Sequence, residues 1–130
     1  MARPPLVVIV DDDLSVRESL PELLRQCGYA AVALPSAPAL LASDALDQAS
    51  CLLLDIAMPG MSGIDLAREL TRRGRAVPIV FISGDTGEQD RSRLLQEGAV
   101  ACVFKPFGEE ELLAAVRAAL APSAPADLSG

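Results

Sequence analysis

Five short apolar runs, at residues 6–10, 29–34, 51–54, 79–82 and 101–104, are each followed by a stretch with apolar residues at helical spacing. This alternation constrains the fold more than any other feature. Runs such as Leu6-Val7-Val8-Ile9-Val10 and Cys51-Leu52-Leu53-Leu54 contain no polar residue, so they read as strands buried on both faces. Strand and helix alternating five times predicts a parallel sheet covered by helices on both sides. Right-handed crossovers leave few ways to wind it. The expected fold is α/β, a single doubly wound five-stranded parallel sheet with five helices. The domain is expected to span residues 1–121. Residues 122–130, rich in Pro, Ala and Ser, read as a flexible tail or the start of a linker.

Local signals set the helix ends. Asp13 can cap the first helix, whose stripe is Val16, Leu20, Leu23, Leu24 and Cys27, and Gly28 closes it. Pro21 falls inside that stripe and is expected to kink the helix without ending it. Ser36 can cap a short helix carrying Leu40 and Leu41. Residues 58–63, Met-Pro-Gly-Met-Ser-Gly, read as a loop. Thr86 and Gln89 have capping-box spacing before a polar helix whose Leu94 and Leu95 should face the core. Leu112, Leu113, Val116, Ala119 and Leu120 mark the last helix.

Composition excludes several chemistries. The chain has 130 residues, a net charge of -7 and no His. Nucleic-acid binding by this domain is not expected, because phosphate contacts need a basic patch. The absence of His removes imidazole acid–base catalysis. Cys27, Cys51 and Cys102 lack metal-ligand spacing and read as free, buried thiols of a reducing cytoplasm. No apolar run approaches a membrane span. Residues 1–5 lead straight into the first strand, so no signal peptide is expected.

In open α/β sheets, ligands bind beyond the carboxyl ends of the strands. Those positions hold Asp11, Asp12 and Asp13 after the first strand, Asp55 at the end of the third, Ser83 after the fourth and Lys105-Pro106 after the fifth. Clustered carboxylates repel one another, and a hard divalent cation relieves that repulsion. A carboxylate can also be the nucleophile that forms an aspartyl phosphate. Phosphoryl transfer needs neutralised oxygens held in place, which a cation, Lys105 and a Ser83 hydroxyl can supply.

Four segments, residues 8–13 (VIVDDD), 54–63 (LDIAMPGMSG), 82–84 (ISG) and 105–107 (KPF), resemble in order and spacing the signatures of bacterial response-regulator receiver domains. Residues 16–20 (VRESL) and 58–63 look most like the FixJ/NarL type, whose receivers are fused to a helix-turn-helix domain. The resemblance covers roughly residues 4–120 and implies the CheY-like, flavodoxin-like strand order 2-1-3-4-5. It implies phosphorylation of Asp55 by a sensor histidine kinase or a phosphotransfer protein. It implies Mg2+, or Mn2+, held by Asp11, Asp12, Asp55 and the backbone carbonyl of Ala57, with Asp12 the preferred direct ligand. Ser83 and Lys105 would bind the phosphate, and Lys105-Pro106 would be a cis peptide. Asp85, with Ala57, stands where relatives tune phosphate lifetime. Homodimers would form through the fourth helix, fifth strand and fifth helix of the pattern.

Two positions depart from the family. Cys102 stands where relatives carry a rotating Phe or Tyr, and Phe104, on the same strand face, is the candidate substitute. Gly108 replaces a capping acid. Three alternatives compete with a regulator of transcription. One is a stand-alone phosphorelay receiver or sink, and another is an interaction module that is never phosphorylated. The third is a haloacid-dehalogenase-like phosphatase, with Asp11 as nucleophile and Asp13 as acid–base.

Overall fold

The computed structural model describes residues 4–84 and 88–121, with the side chains of all but 88–91. Five strands, β1 (Leu6–Val10), β2 (Ala30–Leu34), β3 (Cys51–Asp55), β4 (Ile79–Ser83) and β5 (Ala101–Phe104), form one sheet in the order β2-β1-β3-β4-β5. Every pairing is parallel. The helices are α1 (Leu14–Gln26), α2 (Ala37–Leu41), α3 (Ala45–Gln48), α4 (Gly63–Arg72), α5 (Glu88–Gln96) and α6 (Glu109–Leu120).

Side chains alternate across the strands and build two cores. Val7, Ile9, Cys51, Leu53, Val80, Ile82 and Val103 pack with Leu20 and Leu24 of α1 and Leu112 and Val116 of α6. Val8, Val10, Leu52, Leu54, Phe81 and Cys102 pack on the other face with Leu40, Leu46, Leu66, Leu70 and Leu94 from α2 to α5. The central strands β1, β3 and β4 are therefore covered on both sides, as their uninterrupted apolar runs require.

The described residues contain six helices where five were expected. Between β2 and β3 the chain makes two short helices. Ala42 closes α2 through Ala42 N–H to the Pro38 carbonyl (3.1 Å). The Ser43 hydroxyl then accepts the Ala45 N–H (3.0 Å) and restarts the chain as the single turn of α3, which buries Leu46. Ser-Asp at 43–44 interrupts the helix because these side chains compete for backbone hydrogen bonds.

Two packing expectations are corrected. Leu95 is 40% exposed while Leu94 is buried, because neighbours on a helix point about 100° apart and only one can face the sheet. Cys27 is exposed; only Cys51 and Cys102 are buried. Cys27 stands at the C-cap of α1, past the last turn that the sheet covers.

The end of α1 is closed by Gly28, whose φ of +95° lets Tyr29 N–H reach the Leu24 carbonyl (3.0 Å) and Gly28 N–H reach that of Arg25 (3.1 Å). The helix runs through Pro21, which is buried. The Thr86–Gln89 capping box, Asp85 and residues 122–130 lie outside the described residues.

Candidate functional site

The parallel register brings the carboxyl ends of β1, β3, β4 and β5 to one rim. Val10 pairs with Leu54, and Asp55 pairs with Ile82, so Asp11 and Asp55 end neighbouring strands at the same height. Ser83 pairs with Phe104, which puts Lys105 next along. Lys105 N–H donates to the Ser83 carbonyl at 2.7 Å, tying the last two strand ends together. The Lys105-Pro106 peptide is cis.

Asp11, Asp55 and Ser83 are buried. Asp11 is fixed through its backbone and one carboxylate oxygen. Its N–H donates to the Leu34 carbonyl (3.1 Å), its Oδ1 accepts from Asp13 N–H (2.9 Å), and its carbonyl accepts from Arg17 Nη1 (3.0 Å). Its other carboxylate oxygen, Oδ2, is buried and accepts no hydrogen bond; Lys105 Nζ stands 3.4 Å from it. Asp55 Oδ1 accepts from Ala57 N–H (3.0 Å), and its Oδ2 lies 3.7 Å from the same ammonium. Asp12 is exposed. One carboxylate oxygen from each of Asp11, Asp12 and Asp55 lies within 4.8 Å of the others.

These distances set the electrostatics. Burial is the main cause that pushes the Asp55 carboxyl up to about 6, and the charge of Asp11 adds to it. The Ala57 N–H and Lys105 only partly oppose that rise. For Lys105, burial works against the ammonium, but the carboxylates of Asp11 and Asp55 outweigh it and hold the amine above its ordinary value. Three oxygen donors with an unsatisfied, buried carboxylate oxygen fit a hard divalent cation.

Asp13 has a different job. Its Oδ1 accepts from both the N–H (2.9 Å) and the hydroxyl (2.7 Å) of Ser15 and caps α1. Those bonds hold its carboxyl below the usual range. A proton-shuttling acid–base, as the phosphatase alternative needs, would not be held ionised in this way.

Ala57 is exposed beside Asp55, and its N–H is the one given above. Cys102 is buried opposite Phe81 on β4, and Phe104 packs against the same core. Gly108 stands at the N-cap of α6 without a side-chain cap.

Two residues in contact with the acids were not singled out from the sequence. Arg17 holds the Asp11 carbonyl, as described. Gly63 opens α4 directly behind Asp55: a Cβ there would stand 2.5 Å from the Asp55 carbonyl oxygen. Ser62 and Asp65 form a capping box that sets this approach. The S-x-x-D spacing at 62–65 was a readable signal, whereas nothing in the sequence reveals what lies against Gly63.

Residues 7–117 match the family model of the response regulator receiver domain. Nodulation protein W of Bradyrhizobium diazoefficiens is 44% identical over 88% of this chain and 50% of its own length. The response regulator protein TodT of Pseudomonas putida is 42% identical over 91% of this chain and 52% of its own. The solved structure of the response regulator StyR superposes with a TM-score of 0.81 at 41% identity, covering 90% of this chain and 59% of that one. The chain thus spans about half the length of the curated relatives it matches.

Proposed function

Since this chain belongs to the response regulator receiver domain family, we propose that Asp55 is its phosphoacceptor and that the rim around it is the phosphorylation site. One observation carries the reading. Oxygens of Asp11, Asp12 and Asp55 gather within 4.8 Å, with Lys105 Nζ 3.4 and 3.7 Å from two of those carboxylates. Asp11, Asp12, Asp55 and the Ala57 carbonyl would hold Mg2+, or Mn2+ in its place. The ion would neutralise the carboxylates and the phosphoryl oxygens.

In the reaction, an Asp55 carboxylate oxygen forms a bond to phosphorus as the bond to the donor's imidazole nitrogen breaks. That nitrogen keeps the electron pair. Lys105 stands ready to pair with the charge left on the phosphoryl oxygens, and the Ser83 hydroxyl can donate to another of them. The chain would catalyse only its own phosphorylation and dephosphorylation, with a sensor histidine kinase or phosphotransfer protein as donor in the cytoplasm.

Nodulation protein W and TodT are about twice as long as the matched region, which is 50% and 52% of their lengths, and it is 59% of the StyR chain. We take this domain, residues 1–121, as the regulatory part of a transcription regulator, with 122–130 leading towards an output domain. Phosphorylation would act through α5, β5 and α6, the face by which copies would pair. Among the described residues, Leu95 and Val100 are the exposed large apolar side chains near it. The stand-alone relay remains the second reading, and the length of the reading frame distinguishes the two.

Acetyl phosphate with Mg2+ tests the site. Intact-mass spectrometry should find one added phosphoryl group, and borohydride reduction, which expels phosphate and converts an aspartyl phosphate to homoserine, should place homoserine at position 55. A label on Asp11, or no label in the presence of Mg2+, would overturn the reading.

A further inference from the structure

Arg17 is a poor choice for its position by local rules. It lies in the first turns of α1, where the helix dipole disfavours a cation. Its side chain turns back towards the helix start and donates from Nη1 to the Asp11 carbonyl at 3.0 Å. Its own N–H begins the helix by bonding to the Asp13 carbonyl (3.1 Å). Arg17 therefore grips the acidic loop at both ends, through the carbonyls of Asp11 and Asp13.

The Asp11 carbonyl belongs to the peptide plane that also carries the nitrogen of Asp12. A planar peptide has no internal freedom, so whatever holds that oxygen sets the direction in which Asp12 leaves the strand. The Asp11 N–H is already held by Leu34. With Arg17 on the carbonyl, both peptides flanking the Asp11 Cα are pinned. Asp12, the exposed member of the trio, starts from this pinned peptide plane.

We propose that Arg17 is a positioning residue that orients the Asp11-Asp12 peptide so that both carboxylates converge with Asp55 on one cation. The inference rests on the reading of these acids as a metal site. It predicts an effect opposite in sign to simple electrostatics. Removing a nearby positive charge should tighten cation binding by Coulomb attraction alone. Loss of positioning should weaken it, by the 10- to 100-fold typical of residues that orient metal ligands.

Calorimetric Mg2+ titration of the full chain decides between them, using Arg17→Met, Arg17→Lys and, as a control on the site, Asp12→Ala. Arg17→Met should bind Mg2+ about tenfold more weakly. Arg17→Lys, which keeps one donor, should recover most of the affinity. Equal or tighter binding by Arg17→Met, with Asp12→Ala weakened, overturns the role of Arg17 alone. Normal binding by Asp12→Ala overturns the metal site itself, and this inference with it. If Arg17→Met fails to fold, Arg17→Gln replaces it: wild-type thermal stability with weakened Mg2+ affinity supports the role, and unchanged affinity overturns it.

Discussion

Replacing Asp55 with Asn should stabilise the protein when no divalent cation is present. The Asp55 carboxyl sits at about 6 against an ordinary 3.8. At roughly 1.4 kcal/mol per tenfold change in proton affinity, holding it ionised at pH 7.5 costs about 3 kcal/mol. Asn keeps the shape and the Oδ1 that accepts the Ala57 N–H, and it places an amide donor beside the Asp11 carboxylate. It also gives up the attraction to Lys105, so about 1–3 kcal/mol of the penalty should be recovered. The sign follows from linkage. Between pH 4 and 6 the folded wild type binds more protons than the unfolded chain. The stability from protonated Asp55 is complete below about 3.8 and is lost as pH rises through 6. Urea unfolding in chelator should show Asp55→Asn ahead of wild type at pH 7.5 and level with it near pH 4. Saturating Mg2+ should close the gap at pH 7.5 by binding the wild type preferentially. A destabilised Asp55→Asn at pH 7.5, or a gap that does not change with pH, would refute the account of strain stored in the acids.

Gly63→Ala should lower stability by about 1–3 kcal/mol, because the added methyl meets the Asp55 carbonyl oxygen at 2.5 Å. It should also slow phosphorylation at saturating Mg2+, and urea unfolding together with acetyl phosphate kinetics checks both. Lys105→Met removes the ammonium near two buried carboxylates. It should retain Mg2+ binding by calorimetry yet lose at least about tenfold in phosphorylation rate. Under native conditions a thiol reagent should modify Cys27 alone. Cys51, whose thiol is pushed up to about 12 by burial, and Cys102 should react only in denaturant. Counting the thiols before and after unfolding tests this.

The strands were legible because β1, β3 and β4 are buried on both faces and must be apolar throughout. The site residues were legible because chemistry in such sheets gathers at strand ends, and polar residues following apolar runs are conspicuous. Strand order came from the resemblance, since a single sequence does not say which strands pair. What stayed hidden depended on three-dimensional neighbours. The break between α2 and α3 turns on one Ser43 hydroxyl. Leu94 and Leu95 have the same chemistry, and only the helix phase separates them. Arg17 reads as a surface cation until its bond to the Asp11 carbonyl is seen. Gly63 reads as loop chemistry until the Asp55 backbone behind it comes into view.

The central claim is that the ends of four strands, β1, β3, β4 and β5, form one cation and phosphoryl site. Mn2+ titration followed by amide NMR tests it most directly, because the paramagnetic ion broadens only signals near where it binds. The account predicts that resonances of Asp11, Asp12, Asp55 to Ala57 and Lys105 vanish first, and that Asp12→Ala removes the effect. Broadening centred on Glu109 to Glu111, or spread evenly over the surface, would contradict it.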